Sequence, residues 1–421
     1  MALACGRCFT LCVTEDAELF AWGCGMGSGP ALHQQQPAPV GGPASIRRAA
    51  AGTRHRAVVA EDGALYTCGE GRSGALGLGD EELRRSFTRV PQAAFGGVRV
   101  VLASCGGCHT IAVTGAAHAW ACGENDSGQL GVGDTTPRLS FTQVAAGGIV
   151  AAACGWNHSV LASADGSVRT CGWGVFGCLG HNDRQGRVLP TLLCAEPFRA
   201  SRIASVAAGD CHTLAVDDGG ALWAWGNGAH GQLCLGDPQN RLLPTLAEAF
   251  AGSRVRAAAC GDAYTLVLTE AGELWAAGRG ARGRLGLADE DDRLEPARVD
   301  PRHFAHAPLC AVAAGECHSA AVTAGGELYT WGRGEAVGLP PQAPGGLGHA
   351  DLADRLVPTR VPPRLLGGAG VGRTHVLPAE LALAFAMGTH ARLGGEWTTA
   401  LPAELVRRVL EACARRVVCA S

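Results

Sequence analysis

The sequence predicts an all-β fold, a seven-bladed β-propeller with a short α-helical C-terminal tail, from three observations. Glycine is abundant, 62 of 421 residues against 10 Phe, 9 Trp and 3 Tyr, and without a collagen period this means many tight turns and short strands. A Gly-x-x-His or Gly-x-x-aromatic signature recurs at Gly6, Gly52, Gly106, Gly155, Gly209, Gly261, Gly315 and Gly372, at spacings of 46, 54, 49, 54, 52, 54 and 57 residues. No 3.6-residue periodicity is sustained before residue 379. The chain therefore divides into a propeller over residues 1–378, of Gly-rich repeats of about 52 residues, and a helical segment over 379–421.

Each unit reads in the same order. An apolar strand such as 203–208 leads to the Gly, and a second strand follows the His at 213–216. The turn Asp218-Gly219-Gly220 comes next, then a third strand, Leu222-Trp223-Ala224-Trp225-Gly226. A Gly-rich segment runs from Gly228 to Gly236, followed by Asp237 and a polar loop. Short apolar runs bounded by turn residues are strands. One such unit cannot bury both faces, so units must stack, and radial stacking also protects sheet edges. Seven complete units are present, with a surplus half unit at 365–377. Pairing of strands from the two chain ends is the expected way to close the ring.

Formal charge is −3 and the basic residues are scattered, so no electrostatic case for nucleic-acid binding exists. No apolar run approaches the roughly 20 residues of a membrane helix. Residues 1–13 are apolar but lack a basic n-region and stand in repeat register, so a signal peptide is not expected. Nineteen Cys, an odd number, point to reduced thiols and a cytoplasmic or nuclear protein.

The pattern Gly-x-x-His-Thr/Ser, strand, Gly-x-Leu-Tyr/Trp-x-Trp-Gly, then Gly-x-Leu-Gly-x-Gly-Asp resembles the repeat of the regulator-of-chromosome-condensation family. The best copies are 105–134, 208–237 and 314–332. The resemblance covers residues 1–377 and implies a seven-bladed propeller. Members of that family include a nucleotide exchange factor for a Ran-type GTPase that also docks on nucleosomes, ubiquitin-ligase modules, traffic regulators and a light sensor, so fold does not fix function. The exchange factor has a basic N-terminal tail, whereas the repeats here begin by residue 5. It also has a wedge hairpin in an early blade, and units 1 and 3 here are the shortest. The light sensor places Trp after the leading Gly in consecutive units. Here that column reads Arg7, Thr53, Gly107, Trp156, Asp210, Asp262, Glu316 and Arg373, and one Trp cannot form a coupled cluster.

Motifs that suggest chemistry dissolve into the repeat. Gly69-x-Gly71-x-x-Gly74, and the runs from Gly172, Gly226 and Gly278, match a dinucleotide fingerprint but follow a strand into Leu-Gly turns instead of opening a helix. Cys5-x-x-Cys8 and Cys105-x-x-Cys108-His109 imitate zinc or haem motifs, yet they fall into two columns, Cys8, Cys108, Cys211 and Cys317, and Cys5, Cys105, Cys154 and Cys260, of small buried thiols. No cofactor, metal or catalytic residue is expected. His55, His109, His158, His212, His318 and His375 form another column, with Phe9 and Tyr264 in the same slot, which argues for packing with a hydrogen bond. Asp80/Arg84, Asp134/Arg138, Asp183/Arg187, Asp237/Arg241, Asp289/Arg293 and Asp351/Arg355 give an Asp-x-x-x-Arg loop in six successive units, the carboxylate capping turn N–H groups and the Arg pairing with it or the next blade.

Function on a propeller belongs where units differ. The partner-binding candidates are Arg7, Trp156, Asp210, Asp262 and Glu316, the Gln34–Gln36 stretch, and the insertion at 338–346 with Pro340 and Pro341, which together bias the surface toward the unit 1/unit 7 seam. In the tail, Pro402 opens a helix with Leu405, Val406, Val409 and Leu410 on one face. Its Leu-Pro-x-Glu-Leu run resembles the start of an F-box, which implies a cullin-adaptor partner; docking on its own propeller is the alternative. The expected function is a monomeric protein-protein interaction scaffold, against guanine-nucleotide exchange for a Ran-like small GTPase, or a ubiquitin-ligase substrate receptor acting through residues 401–417.

Overall fold

The computed structural model describes residues 2–23, 34–41, 45–196, 198–335, 346–349 and 351–362. Pro340, Pro341, the half unit at 365–377 and the tail residues Leu405, Val409 and Leu410 lie outside the described residues.

Seven four-stranded antiparallel sheets are each assembled from four consecutive strands. In blade 5 these are Ile203–Ala208, His212–Asp217, Leu222–Gly226 and Arg241–Leu246, from the axis outward. Position in the ring dictates composition. Inner strands such as Ile149–Cys154 and Val255–Cys260 converge on the axis, where little more than alanine fits (IVAAAC, VRAAAC). Second strands such as Tyr264–Thr269 and His318–Thr323 are sandwiched between neighbouring blades and are buried at every residue. Outer strands such as Arg187–Leu192 are half-exposed.

No sheet runs from one blade into the next; apolar side chains fill the interfaces between them. Seven apolar clusters lie among the described residues, each shared by two adjacent blades. One mixes Leu266, Leu274 and Ala276 of blade 6 with Ala321, Tyr329 and Trp331 of blade 7.

The expected ring closure needs correcting. Among the described residues, blade 1 takes all four strands from residues 2–39, so no strand from the C-terminal side completes its sheet. The reason is register: the repeats start at an inner strand, Ala2–Cys5, leaving no vacancy. The seam is instead a blade interface like the others, with Cys12, Phe20 and Trp22 packed on Ala320, Val322 and Leu328.

Strand register puts three features on one face of the ring. His212 pairs with Gly226 and Gly226 with Arg241, so the Gly-x-x-His turn, the end of the third strand and the Asp-x-x-x-Arg loop share the same end of the blade. A register shift between Ala224 and Gly226, with Gly226 at φ +101, turns the chain there; a Cβ would collide with the Cys211 carbonyl. Each loop then reaches the next blade: the Gly133 N–H donates to Val188 O at 3.0 Å, and that of Asn182 to Leu242 O at 2.9 Å.

Candidate functional site

The seven Gly-x-x-His or equivalent turns converge at one end of the axis and enclose a cavity of about 90 Å³. Its wall takes three successive residues from each blade: the end of the inner strand, the leading Gly and the residue after it. Such a space is far below the roughly 300–1,000 Å³ of a small-molecule site.

Beneath the mouth, the histidine column forms a relay between blades. His55 Nε2 meets the Thr110 hydroxyl at 2.8 Å, His109 meets Ser159 at 3.0 Å, and His158 meets Thr213 at 2.9 Å. His212 meets Thr265 at 3.1 Å, and His318 meets Thr10 across the seam at 2.9 Å. Each hydroxyl also donates to a loop carbonyl of the blade that supplied the histidine, as Thr213 does to Cys178 at 2.9 Å and Thr10 to Gly346 at 2.7 Å. The hydroxyl therefore accepts from imidazole, which fixes the proton on Nε2. Burial pushes these histidines down, to about 4 for His55, His158 and His318 and about 3 for His109 and His212, so they are neutral at pH 7.

Two blades deviate from that relay. Tyr264 reaches further, and its hydroxyl accepts from Ser319 at 2.9 Å while donating to His318 O at 2.6 Å. Phe9 offers no polar group, and Arg56 stands where the other blades carry a hydroxyl, its guanidinium 3.8 Å from the Phe9 ring centroid.

Arg7, Trp156, Asp210, Asp262 and Glu316 all line the mouth. Arg7 bridges the seam to Glu316, Nε to Oε2 at 2.8 Å. Burial pushes the Asp210 carboxyl well above the usual carboxylate range, reinforced by the neighbouring Asp262 charge and a hydrogen bond between the two side chains. Burial also raises Glu316, and Arg7 opposes this. Acidic groups thus occupy blades 5–7, with one cation on blade 1, the uncharged Thr53 and Gly107 on blades 2 and 3, and Trp156 on blade 4. Trp156 is 39% exposed. The charged sector spans the seam between blades 7 and 1, and the aromatic stands on blade 4.

The Asp-x-x-x-Arg loops surround this centre. Arg84, Arg138, Arg187, Arg241, Arg293 and Arg355 pair with Asp80, Asp134, Asp183, Asp237, Asp289 and Asp351 at 2.5–2.7 Å. Every one of these Asp side chains also accepts the backbone N–H two residues on, as from Gln185 at 2.9 Å. The Arg thus pairs within its own loop, not with the next blade. The thiols Cys5 and Cys154 are pushed up to about 12 by burial, the opposite of a metal-ligating or nucleophilic thiol.

Sequence reasoning missed Trp173 and Phe176, which stand on the same face of blade 4 in edge-to-face contact, 6.0 Å between centroids. Their signal lay in the segment read only as Gly-rich: aligned on its glycines, blade 4 alone carries aromatics there.

The sequence of residues 149–378 matches the family described as RCC1-like domain, and residues 62–113 and 118–162 match the regulator of chromosome condensation (RCC1) repeat. The chain is 37% identical over 320 residues to the ultraviolet-B receptor UVR8 of Arabidopsis thaliana, covering 76% of this chain and 58% of that protein. It is 30% identical over 337 residues to the secretion-regulating guanine nucleotide exchange factor of Bos taurus, covering 77% of this chain and 61% of that one. It thus spans about three fifths of the length of either relative. The crystal structure of human WBSCR16 superposes with a TM-score of 0.69 at 26% identity, covering 80% of this chain and 89% of that one.

Proposed function

Because the chain belongs to the RCC1-like repeat family, we propose that it is a protein-binding scaffold whose partner docks on the face where the seven Gly-x-x-His turns converge. The carrying observation is the contrast between columns. Histidines, hydroxyls and Asp–Arg pairs recur from blade to blade and hold the ring, whereas the mouth residues change from blade to blade around the opening of the axial cavity, Trp156 being exposed there. A surface that varies on a scaffold that repeats is where recognition resides. Burial keeps the relay histidines neutral and raises thiols such as Cys5, which marks these repeating columns as structure and supports a binding role for the face.

The test is affinity purification with mass spectrometry of the full-length chain beside a mouth variant carrying Arg7→Ala, Asp210→Asn, Asp262→Asn and Glu316→Gln. A control variant, Arg254→Ala with Glu270→Ala, removes an exposed ion pair at the opposite end of the blades. Partners are expected with wild type and control and lost from the mouth variant. Identical partners for all three would reject the docking face.

A second reading, guanine-nucleotide exchange, is favoured by one observation, the 30% identity to an exchange factor over 77% of this chain. It predicts a stable complex with a nucleotide-free small GTPase and faster release of labelled GDP on mixing.

A further inference from the structure

Three positions on the docking face vary, and in blade 4 all three are aromatic. The first is the mouth column, where Trp156 stands. The second follows the terminal Gly of the third strand and reads Glu70, Glu124, Trp173, Asn227, Arg279 and Arg333 in blades 2–7. The third precedes the next loop Gly and reads Ser73, Ser127, Phe176, His230 and Arg282 in blades 2–6.

Local geometry ties the three together. The Trp173 backbone N–H donates to Asn157 O at 2.8 Å, a bond repeated in blades 2 to 7, which sets Trp173 beside the turn that carries Trp156. Phe176 meets Trp173 at 86° and does so from the left-handed region, φ 64, where a bulky side chain is costly. This contact is not architecture. Other aromatic contacts recur at blade interfaces, as in Phe198–Trp223, Phe250–Trp275 and Phe304–Tyr329, whereas Trp173–Phe176 lies within one blade, with both rings half-buried. Toward the axis, the mouth residues next to Trp156 are Asp210 and then Asp262.

Resting on the docking face proposed above, we infer that the aromatic row of blade 4 and the carboxylates of blades 5 and 6 form one site for a partner protein segment. A lysine or arginine side chain of that segment enters the mouth toward Asp210 and Asp262, and a bulky apolar residue near it packs on Trp156, Trp173 and Phe176. The mouth, at about 90 Å³, suits a side chain and not a cofactor. A cation placed beside the Asp210–Asp262 pair offsets the burial and repulsion that raise Asp210, an indole face attracts it as well, and buried aromatic contacts are where interface energy concentrates. The same carboxylates disfavour a phosphorylated segment.

The probe is a phage-displayed library of random peptides panned on the full-length protein. Selected peptides are expected to place Lys or Arg within a few residues of a bulky apolar side chain. Their affinity is expected to fall about tenfold on Trp173→Ala and on Asp262→Asn. Phe176→Gly serves as the folding-safe variant, because glycine adopts φ 64 without strain, and should weaken binding without lowering thermal stability. Peptides lacking a cation, or affinities unchanged by Trp173→Ala and Phe176→Gly, overturn the inference. So does a concentration-dependent dimer in sedimentation that Trp173→Ala dissociates, since the occupant is then a second copy. Cellular partners lost from the charge variant but kept by Trp173→Ala reject this site alone; partners kept by both reject the docking face itself.

Discussion

At each of the seven leading glycines from Gly6 to Gly315 a methyl group would strike two things at once: the His, Phe or Tyr ring of its own unit and the carbonyl of the next blade's leading glycine. Gly209 faces the His212 ring and Gly261 O, and the chain of contacts returns from Gly315 to Gly6 O. None of the seven has a left-handed φ, so contact alone demands glycine there. Gly236 is the converse, with φ +82 and only the Glu295 side chain within 4 Å of an added Cβ. Gly209→Ala should therefore cost about 3 kcal/mol by overpacking, and Gly236→Ala about 1 kcal/mol by backbone strain. Denaturant midpoints decide it; equal costs would refute the distinction. The glycine column was legible as a period, but its reason was not, because the carbonyl each glycine faces belongs to the next blade, and for Gly315 to Gly6 across the seam.

Within a loop, one Asp does two jobs. Asp183 accepts the Gln185 N–H at 2.9 Å and pairs with Arg187 at 2.5 Å. Asp183→Ala is expected to cost about 1 kcal/mol, and Asp183→Asn about half, since the amide oxygen keeps the cap. Thermal denaturation of the two variants would show this ordering, and equal losses would mean that the ion pair is the whole effect. Spacing alone revealed these loops, because Asp and Arg are close neighbours in sequence. The same reading could not reveal that Arg56 answers Phe9 across a blade interface, or that Trp173 and Phe176 meet. Those relations depend on which ends of which strands share a face, and only strand register supplies that.

Across the whole ring, five buried neutral histidines couple stability to pH. Their folded values, about 3 to 4, lie below the unfolded value near 6.5, so the unfolded chain takes up protons that the folded ring refuses. Their contribution is complete above pH 6.5 and is lost as pH falls toward 4, by up to about 1.4 kcal/mol per histidine per pH unit. Asp210 and Glu316, both raised, act in the opposite sense, while His181, His349 and lowered loop aspartates such as Asp183 and Asp237 act with the relay histidines. Calorimetry at pH 7.5, 6.5, 5.5 and 4.5 should show the melting temperature dropping once pH is below 6.5; a level profile across that span would contradict buried neutral imidazoles. The number of blades could be counted in the sequence. How they close could not, because only strand pairing shows that Ala2–Cys5 fills the inner place of blade 1.

Contiguous sheets also make the ring indifferent to where its backbone begins. A circular permutant that joins residues 1 and 421 through a linker and opens between two neighbouring blades, for example after Val299, would keep every described sheet whole and cut only one connection between blades. New ends placed inside a blade, between its second and third strands, would split a sheet across both termini and should fold far less readily.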